Sequence, residues 1–230
     1  MRHLVLVARP TPSGVDERSL AALAGRVAER AGRPVRVAYL DQADPSVAAV
    51  LDEIAARATG IGGAHDVEGA DEVVLVPLAL PVDPYLRTWT ARAAAHWRES
   101  RGATLRVLLS PPPATAPGMA ALLADLALGD AAPVTTSPGA FRSPAWSVRD
   151  DPARHLLVCR GPRCTVYGAG DTHRALAAAA RGRDVLVTPI GCLGPCNLGP
   201  LVIDNPAGDW HEAVDAERAR ALVGDPDAPA

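Results

Sequence analysis

The sequence predicts an α/β protein in which a doubly wound parallel-sheet domain is followed by a smaller α/β domain. Three observations support this prediction. The first half of the chain alternates short Val- and Leu-rich runs with segments of helical spacing. A stretch rich in Pro, Ser and Thr then interrupts both periods. All 4 cysteines lie beyond that stretch.

The first domain is predicted at residues 1–128 as four βα units. We expect strands at 3–8, 34–39, 72–78 and 104–109, and helices at 16–31, 45–58, 85–100 and 117–128. Because the strands are apolar on both faces, the pattern favours a parallel sheet that helices cover on both sides.

Residues 129–153 are predicted to form a linker, because prolines recur there without any period. The second domain is predicted at 154–230. Its expected elements are strands at 155–158 and 184–188, a helix at 171–181, a hairpin of 201–203 with 210–214 turning at 205–208, and a last helix from an Asp215 N-cap to about 223.

Composition excludes some function classes. The net charge is −3 and is spread evenly, so neither domain has the basic stripe that nucleic-acid binding requires. Apart from the short run at residues 3–8, which Arg9 ends too soon for a signal peptide, no segment approaches the length of a membrane span. We therefore expect a cytoplasmic protein that binds neither nucleic acid nor membrane.

The cysteines form two close pairs. Four residues separate Cys159 from Cys164, three separate Cys192 from Cys196, and 27 lie between the pairs. In a reducing compartment such cysteines favour metal ligation or thiol catalysis over disulfides. Four thiolates satisfy either a tetrahedral zinc ion or a [2Fe-2S] cluster, so the spacing alone does not decide between them.

Glycines in the same loops favour the cluster. Gly161, Gly191, Gly194 and Gly199 would let backbone amides approach the sulfur atoms closely, which stabilises negative charge there.

The motifs Cys159-Arg-Gly-Pro-Arg-Cys164 and Gly191-Cys192-Leu-Gly-Pro-Cys196-Asn-Leu-Gly-Pro200 resemble the thioredoxin-like [2Fe-2S] ferredoxin family. The resemblance covers about residues 154–224. It implies a thioredoxin-like domain, one [2Fe-2S] cluster held by all four cysteines, and electron exchange with a redox partner protein. A structural zinc site in an interaction module remains the alternative.

A second candidate site lies in the first domain. Ligands of doubly wound sheets bind outside the carboxyl ends of the strands, where this chain offers Arg9, Asp41, Asp83 and Tyr85 but no His, Cys or Lys. Asp41 with Arg9, or Asp83 with Tyr85, would form a weak metal or carboxylate site. The favoured interpretation is that Asp83 and Asp44, each next to a proline, are turn or capping residues.

The strands around Leu4–Val7, Val37–Asp41 and Val73–Leu78, together with Pro111-Pro112, resemble the small type-II chelatases of the sirohydrochlorin cobalt- and iron-chelatase family. That resemblance implies a tetrapyrrole ligand and a homodimer. The family uses one His after the first strand and one after the third. This chain has no His at either position, neither near Ala8 or Arg9 after the first strand nor around 81–83 after the third.

These observations predict a [2Fe-2S] electron-transfer or redox accessory protein fused to a chelatase-like domain without catalysis. The alternative enzyme is an active chelatase in which Asp41, Asp83 and Tyr85 replace histidine. Carboxylates of ordinary pKa are weak general bases near pH 7, which disfavours that alternative.

Overall fold

The computed structural model describes residues 2–10, 16–58, 72–101, 105–135 and 151–224, with the single residues 137, 139, 142 and 144. Two four-stranded sheets organise these residues. The helices and strands, in chain order, are β1 Arg2–Ala8, α1 Glu17–Ala31, β2 Val35–Tyr39, α2 Val47–Ala58, β3 Glu72–Pro77, α3 Pro84–Arg101, β4 Arg106–Leu109, α4 Met119–Leu128, β5 Arg154–Cys159, α5 Pro162–Val166, α6 Ala169–Ala179, β6 Val185–Ile190, β7 Val202–Asn205, β8 Asp209–His211 and α7 Ala216–Val223.

The first sheet has the order β2-β1-β3-β4, and every neighbouring pair is parallel, which confirms the predicted class. Its core lies on one face, where side chains of α2 and α3 pack on the strands. Val5, Leu51, Leu75 and Trp97 are buried there. The carboxyl ends of β1, β2 and β3 therefore meet at one edge, as parallel strands require.

The face of this sheet opposite that core is covered less evenly: Leu6 of β1 is buried there and α1 packs against β2. Along β3, Val73 and Leu75 are buried, but Val74 and Val76 on the other face are half-buried. The predicted fourth helix forms as α4, yet none of its residues is buried and Leu126 and Leu128 are exposed. A periodic pattern predicts a helix, but it does not fix where that helix packs.

The second sheet has the order β6-β5-β7-β8. The β5–β6 pair is parallel, and the β5–β7 and β7–β8 pairs are antiparallel. Residues of α6 and α7 complete its core with Leu156, Val158 and Val202. The predicted turn after Asn205 and the Asp215 cap are confirmed, since Asp215 Oδ1 accepts from the Arg218 amide at 2.8 Å.

Several helix and strand ends in this domain differ from the prediction, and two of them have a clear structural description. The strand expected to run from 210 to 214 ends at His211, because the chain turns so that Val214 enters the core and its amide donates to Pro200 O. The helix expected from 171 begins two residues earlier, at Ala169.

Part of the predicted linker lies outside the described residues. Within 129–135 the structure has no helix or strand. The domain boundaries at 128 and 154 stay predictions. Among the described helices, none is long and apolar enough to cross a membrane.

Candidate functional site

The four cysteines lie around one edge of the second sheet. Cys159 is the last residue of β5, and Cys192 follows β6 by two residues. Because β5 and β6 are parallel and Cys159 pairs with Ile190, both strands end at that edge. Cys196 begins a 3-10 turn. Cys164 sits in the short helix α5.

The thiols interact with one another. The Cys192 and Cys196 sulfur atoms are 3.4 Å apart, and the Cys159 thiol hydrogen-bonds to those of Cys164 and Cys192. For comparison, two thiolates bound to one tetrahedral metal through metal–sulfur bonds of about 2.3 Å have their sulfur atoms roughly 3.8 Å apart. All four cysteines are free.

Within the described ranges, no group of three or more His, Cys, Asp or Glu side chains surrounds a single metal-ion position. The thiols form two close pairs, Cys159 with Cys164 and Cys192 with Cys196, which the contact between Cys159 and Cys192 joins. Two pairs are the donor set of a cluster that shares four thiolates between two irons.

Glycines are required where the chain passes close to the sulfur atoms. A Cβ on Gly199 would lie 2.5 Å from Cys164 Sγ, and one on Gly161 would lie 2.9 Å from Cys192 Cβ. Gly194, between the second pair of cysteines, has a φ of 56°, a left-handed conformation that favours glycine. Any side chain at Gly199 would displace a thiol.

Hydrogen bonds to sulfur lower the pKa of Cys159 below that of an ordinary thiol. The Cys164 thiol donates to it, and the backbone amides of Leu193 and Gly161 also donate, so the pKa of Cys159 falls to about 6 although burial opposes the shift. The pKa of Cys164 is raised, because its thiol donates that bond and because it is buried. Burial also raises the pKa of Cys192. The loops therefore already present amides to a sulfur-centred negative charge.

The four candidate residues of the first domain also come together. The Arg9 guanidinium lies 3.3 Å from Asp41 Oδ1 and 3.7 Å from Asp83 Oδ2, and it sits 4.6 Å from the centre of the Tyr85 ring. The two pairs expected from the sequence thus form one cluster around Arg9. The capping interpretation of Asp83 is confirmed, because its Oδ1 accepts from the amides of Tyr85 and Leu86.

Burial dominates the electrostatics of this cluster. Asp41 is 1% exposed, and burial raises its pKa although Arg9 acts in the opposite direction. The pKa of Tyr85 rises to about 12, first because of burial and then because of the Asp41 charge. The charges of Cys192 and Cys196 also raise the pKa of Tyr85. These two cysteines therefore lie near the Arg9 cluster.

Arg160 joins the two sites, and sequence reasoning missed it. It follows Cys159, is 3% exposed, and its Nη2 lies 3.8 Å from Asp44 Oδ2. Its Nε and Nη2 have no hydrogen-bond partner among the described residues.

Asp44 also pairs with Arg174 at 2.7 Å. Asp44 lies in a bend, as predicted from its proline neighbour. The residue that caps α2 is Ser46, whose Oγ accepts the Ala49 amide. No local pattern marks an Arg for burial against another domain.

No protein-family model matches the chain. A relative from Priestia megaterium, described as "Putative 2Fe-2S ferredoxin", is 29% identical over 72 residues, which are 30% of this chain and 57% of the relative. The chain thus spans little more than half the length of that relative.

Two solved structures are also similar. The thioredoxin-like [2Fe-2S] ferredoxin of Aquifex aeolicus is 24% identical and has a TM-score of 0.29, covering 32% of this chain and 84% of its own. The "Putative cobalamin (vitamin B12) biosynthesis CbiX protein" of Marinobacter aquaeolei VT8 is 24% identical with a TM-score of 0.36, covering 54% of this chain and 93% of its own. Both families that the motifs resemble recur in these comparisons.

Proposed function

We propose that this chain holds a [2Fe-2S] cluster on Cys159, Cys164, Cys192 and Cys196, and that it serves in electron transfer or as a redox accessory protein. The observation that supports this most strongly is the convergence of the two thiol pairs at one place where Gly161 and Gly199 make room for the cysteine side chains. The name of the Priestia megaterium relative supports the same cofactor.

The surroundings suit a cluster better than a bare thiol site. Amides of Gly161, Leu193, Gly194 and Leu201 hydrogen-bond to the cysteine sulfur atoms. These bonds and the buried Arg160 charge would stabilise a negatively charged cluster. When bound, the cluster supplies one-electron chemistry.

The exposure of the cysteines suggests where electrons enter. Cys159 and Cys164 are buried, Cys196 is half-buried and Cys192 is exposed. The 192–196 loop is therefore the face we assign to a redox partner protein.

We further propose that residues 1–128 form a chelatase-like domain that keeps a polar cleft without catalysis, ahead of the 129–153 linker and the 154–230 cluster domain. Arg9 lies between the carboxylates of Asp41 and Asp83 and forms an ion pair with each of them. A divalent metal would have to displace this guanidinium. The alternative of an active chelatase using Asp41, Asp83 and Tyr85 is disfavoured for that reason.

Anaerobic purification tests the cluster. We expect about two irons and two acid-labile sulfides per chain, with a red-brown visible spectrum that Cys196→Ala abolishes. One tightly bound zinc without sulfide would instead establish the zinc-stabilised interaction module.

A further inference from the structure

A groove runs between the two domains beside the Arg9 cluster, since the rings of Trp89 and Tyr85 have their centres 6.1 Å apart. Helix α3 lines one part of it with Trp89, Arg92 and His96, and the second domain lines the rest with Arg163 and Tyr167. It has a volume of about 460 Å³. That volume is within the range of roughly 300–1,000 Å³ typical of small-molecule sites.

Two cations in the groove lie against one ring. The guanidinium carbon of Arg92 is 4.8 Å from the centre of the Trp89 ring, and that of Arg163 is 5.6 Å from it. The two groups are therefore on the order of 10 Å apart or closer, and stacking on an aromatic ring orders them both.

Neither guanidinium is neutralised within the described part of the chain. Arg163 donates to the neutral Asn197 amide oxygen, and neither Arg92 nor Arg163 forms an ion pair with a described acidic residue. Seven other arginines of the described residues do form such pairs, among them Arg101 and Arg154. Two unpaired guanidinium groups in one groove attract an anion, and the fork geometry of Arg suits carboxylate or phosphate.

Aromatic surface accompanies the charge. His96 and Tyr167 meet edge to face with ring centres 5.9 Å apart, and Tyr167 is exposed. Three rings beside two cations offer both stacking area and anion recognition. A small inorganic anion would use the charges but not the rings.

We propose that this groove binds a planar, conjugated molecule that carries two anionic groups. The site goes beyond the proposed cluster function and does not depend on it, since none of its lining residues is a cysteine. It does share a helix with the cysteine site, because α5 carries both Arg163 and Cys164.

The test uses the full-length, cluster-loaded protein and isothermal titration with 2,6-naphthalenedicarboxylate. Two matched probes separate the contributions: naphthalene-2,6-dimethanol lacks the charges, and adipate lacks the ring. We expect one saturable site per chain for the dicarboxylate. The dimethanol should bind at least roughly 10-fold more weakly, the size expected for losing one charge-assisted hydrogen bond. Adipate should also bind roughly 10-fold more weakly, because it loses the contacts with the aromatic rings.

Arg92→Gln is the main variant, because Arg92 is exposed on α3 and lies far along the chain from the cysteines. It should weaken dicarboxylate binding roughly 10-fold. Arg98→Gln, on the same helix and outside the groove, should bind like the wild type. Absence of saturable binding at millimolar probe would overturn the proposal. So would equal binding of the dimethanol, or unchanged affinity in Arg92→Gln.

Discussion

The backbone amide of Gln42 donates a 3.1 Å hydrogen bond to the carbonyl oxygen of Arg160. This bond joins the loop after β2, which carries Asp41, to the residue that directly follows Cys159. Two residues along the same loop, Asp44 contacts Arg160 and Arg174 of the second domain. The carboxylate cluster and the cysteine site are therefore neighbours across one interface.

Replacing Asp44 tests that interface. Asp44→Ala removes the carboxylate beside the buried Arg160, so the second domain should lose about 1–3 kcal/mol of unfolding free energy. This is below the cost of breaking a fully buried pair because Asp44 is 48% exposed. Urea unfolding measures the loss. Asp171→Ala is the control, since it removes only the exposed partner of Arg174 and should cost under roughly 1 kcal/mol. Equal losses in the two variants would show that the contact with Arg160 contributes nothing.

Local patterns predicted most of the fold, because strands and helices of the first domain carry clear periods. The spacing of the cysteines in two close pairs was compatible with convergence, and the parallel pairing of β5 with β6, which no local pattern showed, brings both pairs to one edge. Local patterns could not place α4, whose leucines have a helical pattern but stay exposed. Nor could they find the Asp44–Arg160 contact, which joins residues more than a hundred positions apart and depends on how the domains pack.

A substitution at Gly199 tests how closely the chain packs against the cysteine sulfur atoms. Gly199→Ala places a Cβ 2.5 Å from Cys164 Sγ, so that thiol must move, and we expect less than half of the wild-type iron and sulfide after anaerobic purification. Gly191→Ala is the matched control. It lies beside Cys192, but its Cβ would meet no atom within 4 Å, so its cluster content should equal that of the wild type. Full loading of Gly199→Ala would contradict the packing around Cys164.

Asp52 should make the first domain sensitive to acid. Arg101 and the Trp97 indole N–H hydrogen-bond to its carboxylate and hold its pKa below the ordinary 3.8. A depressed folded-state pKa stabilises the fold above the unfolded pKa, and this stabilisation is lost as pH falls through the folded value. Asp52→Asn should therefore be less stable than the wild type at pH 7, and the difference should shrink below about pH 4. Trp fluorescence during urea unfolding at several pH values measures it. A difference that does not change with pH would assign the effect to packing.

Arg9 should block metal binding at the carboxylate cluster. Arg9→Ala leaves Asp41 and Asp83 without their shared cation, so the variant should bind Co²⁺ at least roughly 10-fold more tightly than the wild type. Loss of Arg9 also raises the Asp41 pKa further, so the titration belongs at pH 8, where the carboxylate is ionised. Cluster-loaded protein keeps the cysteines occupied. Adding Asp41→Ala to Arg9→Ala should remove the gain. Persistence of the gain in that double variant would place the metal elsewhere.

The wild-type first domain should not accelerate insertion of cobalt into sirohydrochlorin beyond the spontaneous rate. Metal insertion needs a base for the pyrrole protons, and positioned acid–base groups typically contribute on the order of 10²–10⁴-fold. The residues in the cleft are poorly suited to that role. Asp41 is paired with Arg9, Asp83 uses one oxygen to cap α3, and Tyr85, with a pKa of about 12, stays protonated near pH 7.

Absorbance of the metallated product under anaerobic conditions, without a reductant for the cluster, measures the rate. An Asp41→Ala, Asp83→Ala variant should match the wild type, because neither carboxylate is available as a base. Turnover by the wild type that this variant loses would establish the chelatase alternative. It would also mean that Arg9 leaves the carboxylates when the tetrapyrrole binds, since the ion pairs of the free protein hold both of them.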